Sequence, residues 1–200
     1  SAMVVTYRLQ FRNGFGFAEA ERLLPYLRSL GVSDLYASPI LRARPGSTHG
    51  YDTTDYGSID PDLGGEIGFS RLTDAIRRQG MGLLLDFVPN HMAADSGSNG
   101  WWRDVLENGP AARHAEFFDI EWEPPQRHLQ HKVLLPILGA AYGHELDAGH
   151  FRLGATKDAI NGWPTLAYFD QDLPLEPQSI GHLLAQMLDA ARSATTAAAA

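Results

Sequence analysis

Two short clusters hold the residues in this chain best suited to chemistry: Ser47-Thr48-His49-Gly50-Tyr51-Asp52 and Asp86-Phe87-Val88-Pro89-Asn90-His91. Each follows an apolar, strand-like run, which is where a parallel α/β architecture keeps its active site. The residue types suit a sugar. Tyr51 offers a flat face to the C–H side of a pyranose, Asp52 a carboxylate that accepts from hydroxyls, and His91 an imidazole that donates to one. Asp86 and Asn90 are placed to hold the loop around them. Gly50 permits a backbone angle that lets Tyr51 project into a cleft. Each residue also has a plainer reading: Asp86 as a strand-end cap, Tyr51 and His91 as satisfied core residues, Asp52 as a turn former. The two clusters alone do not choose between these readings.

Other candidates are weaker. Asp55, Asp60 and Asp62 read as turn and cap residues, since Asp60-Pro61-Asp62-Leu63-Gly64-Gly65 is turn chemistry, and Glu66 suits the first turn of a helix. Asp52, Asp55, Asp60 and Asp62 do not match a calcium-loop spacing. His128, His131, His144 and His150 lack helical zinc-ligand spacing and read as surface or pocket-wall residues. Cysteine is absent, which excludes a disulfide framework, a thiolate metal site and a cysteine nucleophile. No metal and no cofactor is expected. Spacing does not decide whether Asp52 and Asp86 form an acid/base pair. Trp101 and Trp102 read as packing.

The elements that position these clusters follow a simple rhythm. Val4–Phe11 reads as a strand. Phe17–Leu30 is helical, with Leu23, Leu24, Leu27 and Leu30 on one stripe; Pro25 predicts a short helix, a break and a second helix stopped by Gly31. Asp34–Ala37 is a second strand, residues 39–63 a long polar loop, Glu66–Gln79 a helix and Met81–Val88 a third strand, apolar on both faces as in a buried parallel sheet. Strand–helix–strand–helix–strand predicts parallel crossovers. After His91 the rhythm breaks. Trp101–Glu107 reads as a short helix, Lys132–Leu138, His150–Leu153 and Leu166–Asp170 as strand fragments of a small inserted domain, and Ser179–Ser193 as an amphipathic helix before an uninformative alanine end. The expected division is 1–92 for the first strands and helices and 93–200 for the insertion.

Bulk properties narrow the partners. With 200 residues, 44% apolar, a core is affordable; a net charge of −8 and a pI near 5.4 argue against a nucleic-acid binder. No run is long enough to span a membrane. Ser1-Ala2 before Met3 looks like a cleavage scar, and a start at Met3 has no leader character, so a cytoplasmic protein is expected.

The runs Tyr7-Arg8-Leu9-Gln10-Phe11, Leu35 to Leu41, Arg44 to Asp52 and Asp86 to His91, with Phe117-Phe118-Asp119-Ile120, Lys132 to Gly139 and Tyr168-Phe169-Asp170, together resemble the maltooligosyltrehalose synthases of the α-amylase superfamily. The resemblance covers Val5 to about Leu188. It implies an α/β fold: the N-terminal part of a (β/α)8 TIM barrel with a small domain inserted after the third strand. It implies an isomerase that converts the reducing-end α-1,4 linkage of a maltooligosaccharide to α,α-1,1, by intramolecular transglycosylation through a covalent glycosyl-enzyme. The alternatives are an α-amylase-like hydrolase and a non-catalytic maltodextrin-binding fragment. Carried over, Tyr51 stacks under the sugar at the cleavage subsite, Asp52 and His91 bind that sugar, and Asp86 and Asn90 support them. The catalytic carboxylates lie after later barrel strands in this superfamily, so no catalytic residue is expected in these residues and the chain by itself is expected to be inactive. A downstream maltooligosyltrehalose hydrolase is the implied partner.

Overall fold

A computed structural model describes residues 3–155 and 164–198; Ser1, Ala2 and the last two alanines lie outside the described residues. The chain divides into two compact units, Ser1–Asn99 and Gly100–Ala200.

In the first unit, β1 (Thr6–Leu9), α1 (Phe17–Ser29) and β2 (Asp34–Ala37) are followed by β3 (Leu41–Ala43), β4 (Thr53–Ile59), α2 (Gly65–Arg78) and β5 (Gly82–Leu85). Strands β1, β2 and β5 pair in parallel in that order, with α1 and α2 in the two crossovers. At the C-terminal edge Leu9 lies opposite Ala37, and Ala37 opposite Leu85. The core forms where the helices cover the sheet: Phe11, Phe17, Leu24, Leu27, Leu35 and Leu72 are buried in one cluster. Phe11 meets Phe17 edge-on at 5.3 Å between ring centres.

Three expectations change here. The helix does not break at Pro25: α1 runs unbroken through it. Its buried stripe, Phe17, Ala20, Leu24 and Leu27, continues across the proline, and Pro25 sits on the exposed side, where water can replace the missing donor. The 39–63 stretch is not an unstructured loop. Leu41–Ala43 and Thr53–Ile59 pair antiparallel, with register shifts on either side of Arg42. The third strand is exposed at Leu84 and Leu85, and among the described residues β5 pairs with β2 alone.

The second unit contains α3 (Gly100–Asn108), α4 (Tyr142–Asp147), β6 (Phe151–Ala155), β7 (Pro164–Tyr168), β8 (Gln171–Pro174) and α5 (Pro177–Ala198). Strands β6, β7 and β8 form an antiparallel sheet. A small core gathers Val105, Ala112 and Ala115 under Trp102, Phe118, Trp122 and Val133. The Lys132–Leu138 run is not a strand; it is irregular, and the Lys132 ammonium donates to the His128 carbonyl at 2.9 Å. The amphipathic helix is present as α5. Of its stripe, Ile180 is buried and Leu184, Met187 and Leu188 are exposed. Among the described residues no helix is long and apolar enough to cross a membrane.

Candidate functional site

The C-terminal rim of the parallel sheet gathers the polar side chains. Arg8 stands at the end of β1, Tyr36 near the end of β2, and Asp86 directly after β5, where its N–H donates to the Ala37 carbonyl at 2.9 Å. The β3–β4 hairpin brings its connecting loop, residues 44–52, over this rim. The Arg44 N–H donates to the Asp52 carbonyl at 3.0 Å and closes that loop.

Gly50 decides how the loop turns. Its φ is +80°, and a Cβ there would lie 2.6 Å from Nη2 of Arg12 and 3.0 Å from the Pro39 carbonyl. Neither neighbour can retreat easily. Arg12 is buried, pairs with the equally buried carboxylate of Asp60, and donates to the Pro39 carbonyl at 3.3 Å. Asp60 also caps the turn before α2, taking the Asp62 N–H at 3.0 Å. Asp60 is therefore both the expected cap and half of a buried ion pair. Asp55 fits its expected local role, accepting from Gly57 N–H and Ser58 hydroxyl, each at 2.7 Å.

Past Gly50 the chain delivers Tyr51 to the rim. Its hydroxyl donates to Oδ2 of Asp86 at 2.6 Å and accepts from Nη2 of Arg8 at 2.9 Å. Arg8 also reaches Oδ2 of Asp86 at 3.4 Å, donates to Gln10 at 2.7 Å, and lies over the Tyr36 ring at 5.4 Å. The hydrogen bond to Asp86, then burial, then the charge of Asp86 raise the Tyr51 phenol above its ordinary pKa; Arg8 opposes this. Burial works against the Arg8 charge, but Tyr51 and Asp86 outweigh it and hold its pKa above the usual value. The imidazole of His49 stacks on one face of Tyr51 at 5.8 Å and 21°.

His91 joins the same group by a different route. Nε2 lies 3.0 Å from the Tyr51 carbonyl and Nδ1 lies 3.0 Å from Oδ1 of Asn90. Both ring nitrogens are engaged, so His91 must release the carbonyl before it can take a hydroxyl. Tyr51, Asp86, Asn90 and His91 are thus brought together. Asp52 faces the other way: it accepts from the Ser47 hydroxyl and lies 3.9 Å from Nδ1 of His49. Arg8, Gln10 and Tyr36 were not singled out by the sequence. Alternation along the first strand puts Arg8 and Gln10 on one face, and all three lie in runs that carry the family resemblance, but neither signal marks them as site residues. Among the described residues no group of three or more His, Asp or Glu could hold a metal.

The sequence pattern of the alpha amylase catalytic domain matches residues 20–145. The chain belongs to the α-amylase family. A putative maltooligosyl trehalose synthase of Mycobacterium tuberculosis is 51% identical over 144 residues, covering 69% of this chain and 18% of that protein. An intracellular maltogenic amylase of Bacillus subtilis is 41% identical over 101 residues, covering 50% and 16%. The solved structure of maltooligosyltrehalose synthase from Arthrobacter ramosus superimposes with a TM-score of 0.73 at 36% identity, covering 88% of this chain and 21% of that one. The chain therefore spans about a fifth of the length of the relatives it matches. Within the α-amylase family, the parallel unit is the N-terminal part of a (β/α)8 barrel, and the second unit follows its third strand. The polar rim described above occupies the end of the barrel where this fold builds its sites.

Proposed function

We propose that these residues supply the substrate-holding half of one sugar subsite in an enzyme that forms trehalose ends on maltooligosaccharides. The observation that carries this reading is the anchoring of Tyr51 by Asp86 and Arg8 at the C-terminal ends of β5 and β1. An anchored phenol fixes its ring plane, and a fixed ring is what a pyranose face can stack on. In this reading the sugar lies on the ring face away from His49. His91 exchanges the Tyr51 carbonyl for a sugar hydroxyl, Asp52 leaves the Ser47 hydroxyl and turns from the His49 side to accept from another, and Asn90 and Asp86 hold the frame.

The reaction is an intramolecular transglycosylation. The α-1,4 bond at the reducing end breaks, the remaining chain is held covalently on a carboxylate, and the released glucose turns so that its anomeric oxygen attacks the same carbon. Water must be excluded, because it would intercept the same intermediate. The catalytic carboxylates are not among the residues assigned here, so the 200-residue chain alone is inactive in this proposal. A cytoplasmic location and a downstream maltooligosyltrehalose hydrolase belong to the same reading. The similarity to the trehalose synthases supports the product, and the family supports the α-glucan substrate.

Incubating the full natural polypeptide with maltopentaose tests it. The expected product carries a non-reducing trehalosyl end. Glucose and shorter maltodextrins without such a product would mean a hydrolase instead.

A further inference from the structure

The tip of the β7–β8 hairpin contains an expensive residue. Tyr168 pairs with Gln171, so Phe169 and Asp170 form a two-residue turn. Phe169 has φ +51°, a left-handed conformation that turns of this kind ordinarily assign to glycine. Its ring is 70% exposed, so burial does not offset the strain. An outlier that the fold itself does not reward points to a use.

The ring is held from behind. Phe169 meets Tyr168 edge-on at 4.8 Å and 82°, and His150 at 4.8 Å. Nδ1 of His150 lies 2.6 Å from the buried carboxylate of Glu145. The hydroxyl of Tyr168 accepts the Gly139 N–H at 2.8 Å, tying the hairpin to the irregular strip that ends there. The hydrogen bond from His150 holds the Glu145 carboxyl below its ordinary range, ahead of the opposing effect of burial. Glu145 therefore stays ionised and keeps the Nδ1 proton, which leaves Nε2 as the nitrogen that can meet a hydroxyl. Rings continue from Phe169 through Tyr168 and Phe151, 5.0 Å apart, to Tyr142, 5.6 Å further on. Tyr142, at the far end, is also exposed.

We infer that Phe169 and His150, backed by this run of rings, form a sugar-stacking platform for a longer α-glucan. The inference rests on the α-glucan substrate class proposed above. A flat ring meets the C–H face of a glucose unit, while His150, Asp170 and Gln171 beside it can exchange hydrogen bonds with hydroxyls. An apolar protein segment would find those polar groups in its way.

The test measures binding of maltooligosaccharides from maltotriose to maltoheptaose by calorimetry, and hydrogen exchange of the β7–β8 amides, in the full natural polypeptide. Phe169→Gly relieves the left-handed strain, so hairpin protection holds or rises. Affinity for the longer sugars falls about fivefold, as expected for a lost aromatic contact. Phe169→Trp keeps that affinity; Phe169→Leu, apolar but not flat, loses it. Unchanged affinity in Phe169→Gly overturns the inference. So does a sharp loss of hairpin protection in Phe169→Gly that Phe169→Leu repairs, because that would make the ring a packing group. Phe169-dependent binding without any trehalosyl product would overturn the proposed reaction and leave the platform standing. Trehalosyl synthesis with Phe169-independent binding would do the reverse.

Discussion

Tyr51 meets Asp86 and Arg8 through a single oxygen, and that oxygen holds its proton beyond the ordinary tyrosine range. Alkaline titration followed by tyrosinate absorbance should show two phenols ionising after the exposed tyrosines, Tyr51 and the Tyr56 phenol that burial raises. Tyr51→Phe should remove one of the two and leave the Tyr56 component, and Asp86→Asn should bring the Tyr51 component down toward the ordinary value. The sign of the linked stability follows. A raised native pKa means the folded chain keeps the proton longer than the unfolded chain. The contribution is fully present below the unfolded tyrosine pKa and is lost as pH rises through the folded one. Arg8 pulls the Tyr51 phenol the other way, so Arg8→Ala should raise the Tyr51 component further. It should also weaken maltooligosaccharide binding by about 1 kcal/mol, several-fold in affinity. If Arg8 acts through the hydroxyl, Arg8→Ala should cost little more in a Tyr51→Phe background, as a double-mutant cycle would read. Tyr51, Asp86 and His91 were legible in the sequence because each follows an apolar run. Arg8 was not, because its partners lie 43 and 78 residues away and nothing local announces them.

The helices and strands were legible where one face had to be buried. β2 matches its expected span, since its alternation ends at Ser38-Pro39, and α2 matches to within a residue because a clear stripe meets a stop at Gly80. Two misreadings share a cause: a local rule lost to packing. Pro25 argued for a break, but the buried stripe on either side keeps α1 whole. Replacing it supplies the missing N–H to the Glu21 carbonyl, so Pro25→Ala should stabilise the first unit by about 1–3 kcal/mol in chemical denaturation. The β3–β4 hairpin hid because Thr53-Thr54-Asp55-Tyr56-Gly57 reads as polar loop, and only its pairing with Leu41–Ala43 makes it a strand. That hairpin holds the Gly50 turn over the Arg12–Asp60 pair. Gly50→Ala should destabilise by about 2 kcal/mol from the left-handed backbone and the blocked Cβ. It should also shift Tyr51, and a fall in oligosaccharide affinity larger than the stability loss explains would show it.

At the scale of the molecule the two units carry separate cores, one around Phe17, Leu35 and Leu72 and the other around Val105. Leu72→Ala should cost about 2–5 kcal/mol. By hydrogen exchange that loss should appear in the first unit and leave the amides around Val105 untouched; Val105→Ala should do the converse. The barrel's opening strands were legible from the alternation of strand and helix, whereas β8 was not, since Gln171-Asp172-Leu173-Pro174 gains a strand only from its neighbour. Arg8, Tyr51 and Asp86 come from three segments, and Arg8 and Asp86 are 78 residues apart. No local folding event can assemble them: both crossovers must close and β5 must dock on β2 first. Contacts of such long range form late and slowly. On the proposed reading, affinity for the sugar would gauge folding completeness, and a substitution deep in α1 or α2 that disfavours docking of β5 would register as lost binding in a chain whose proposed subsite residues are all intact.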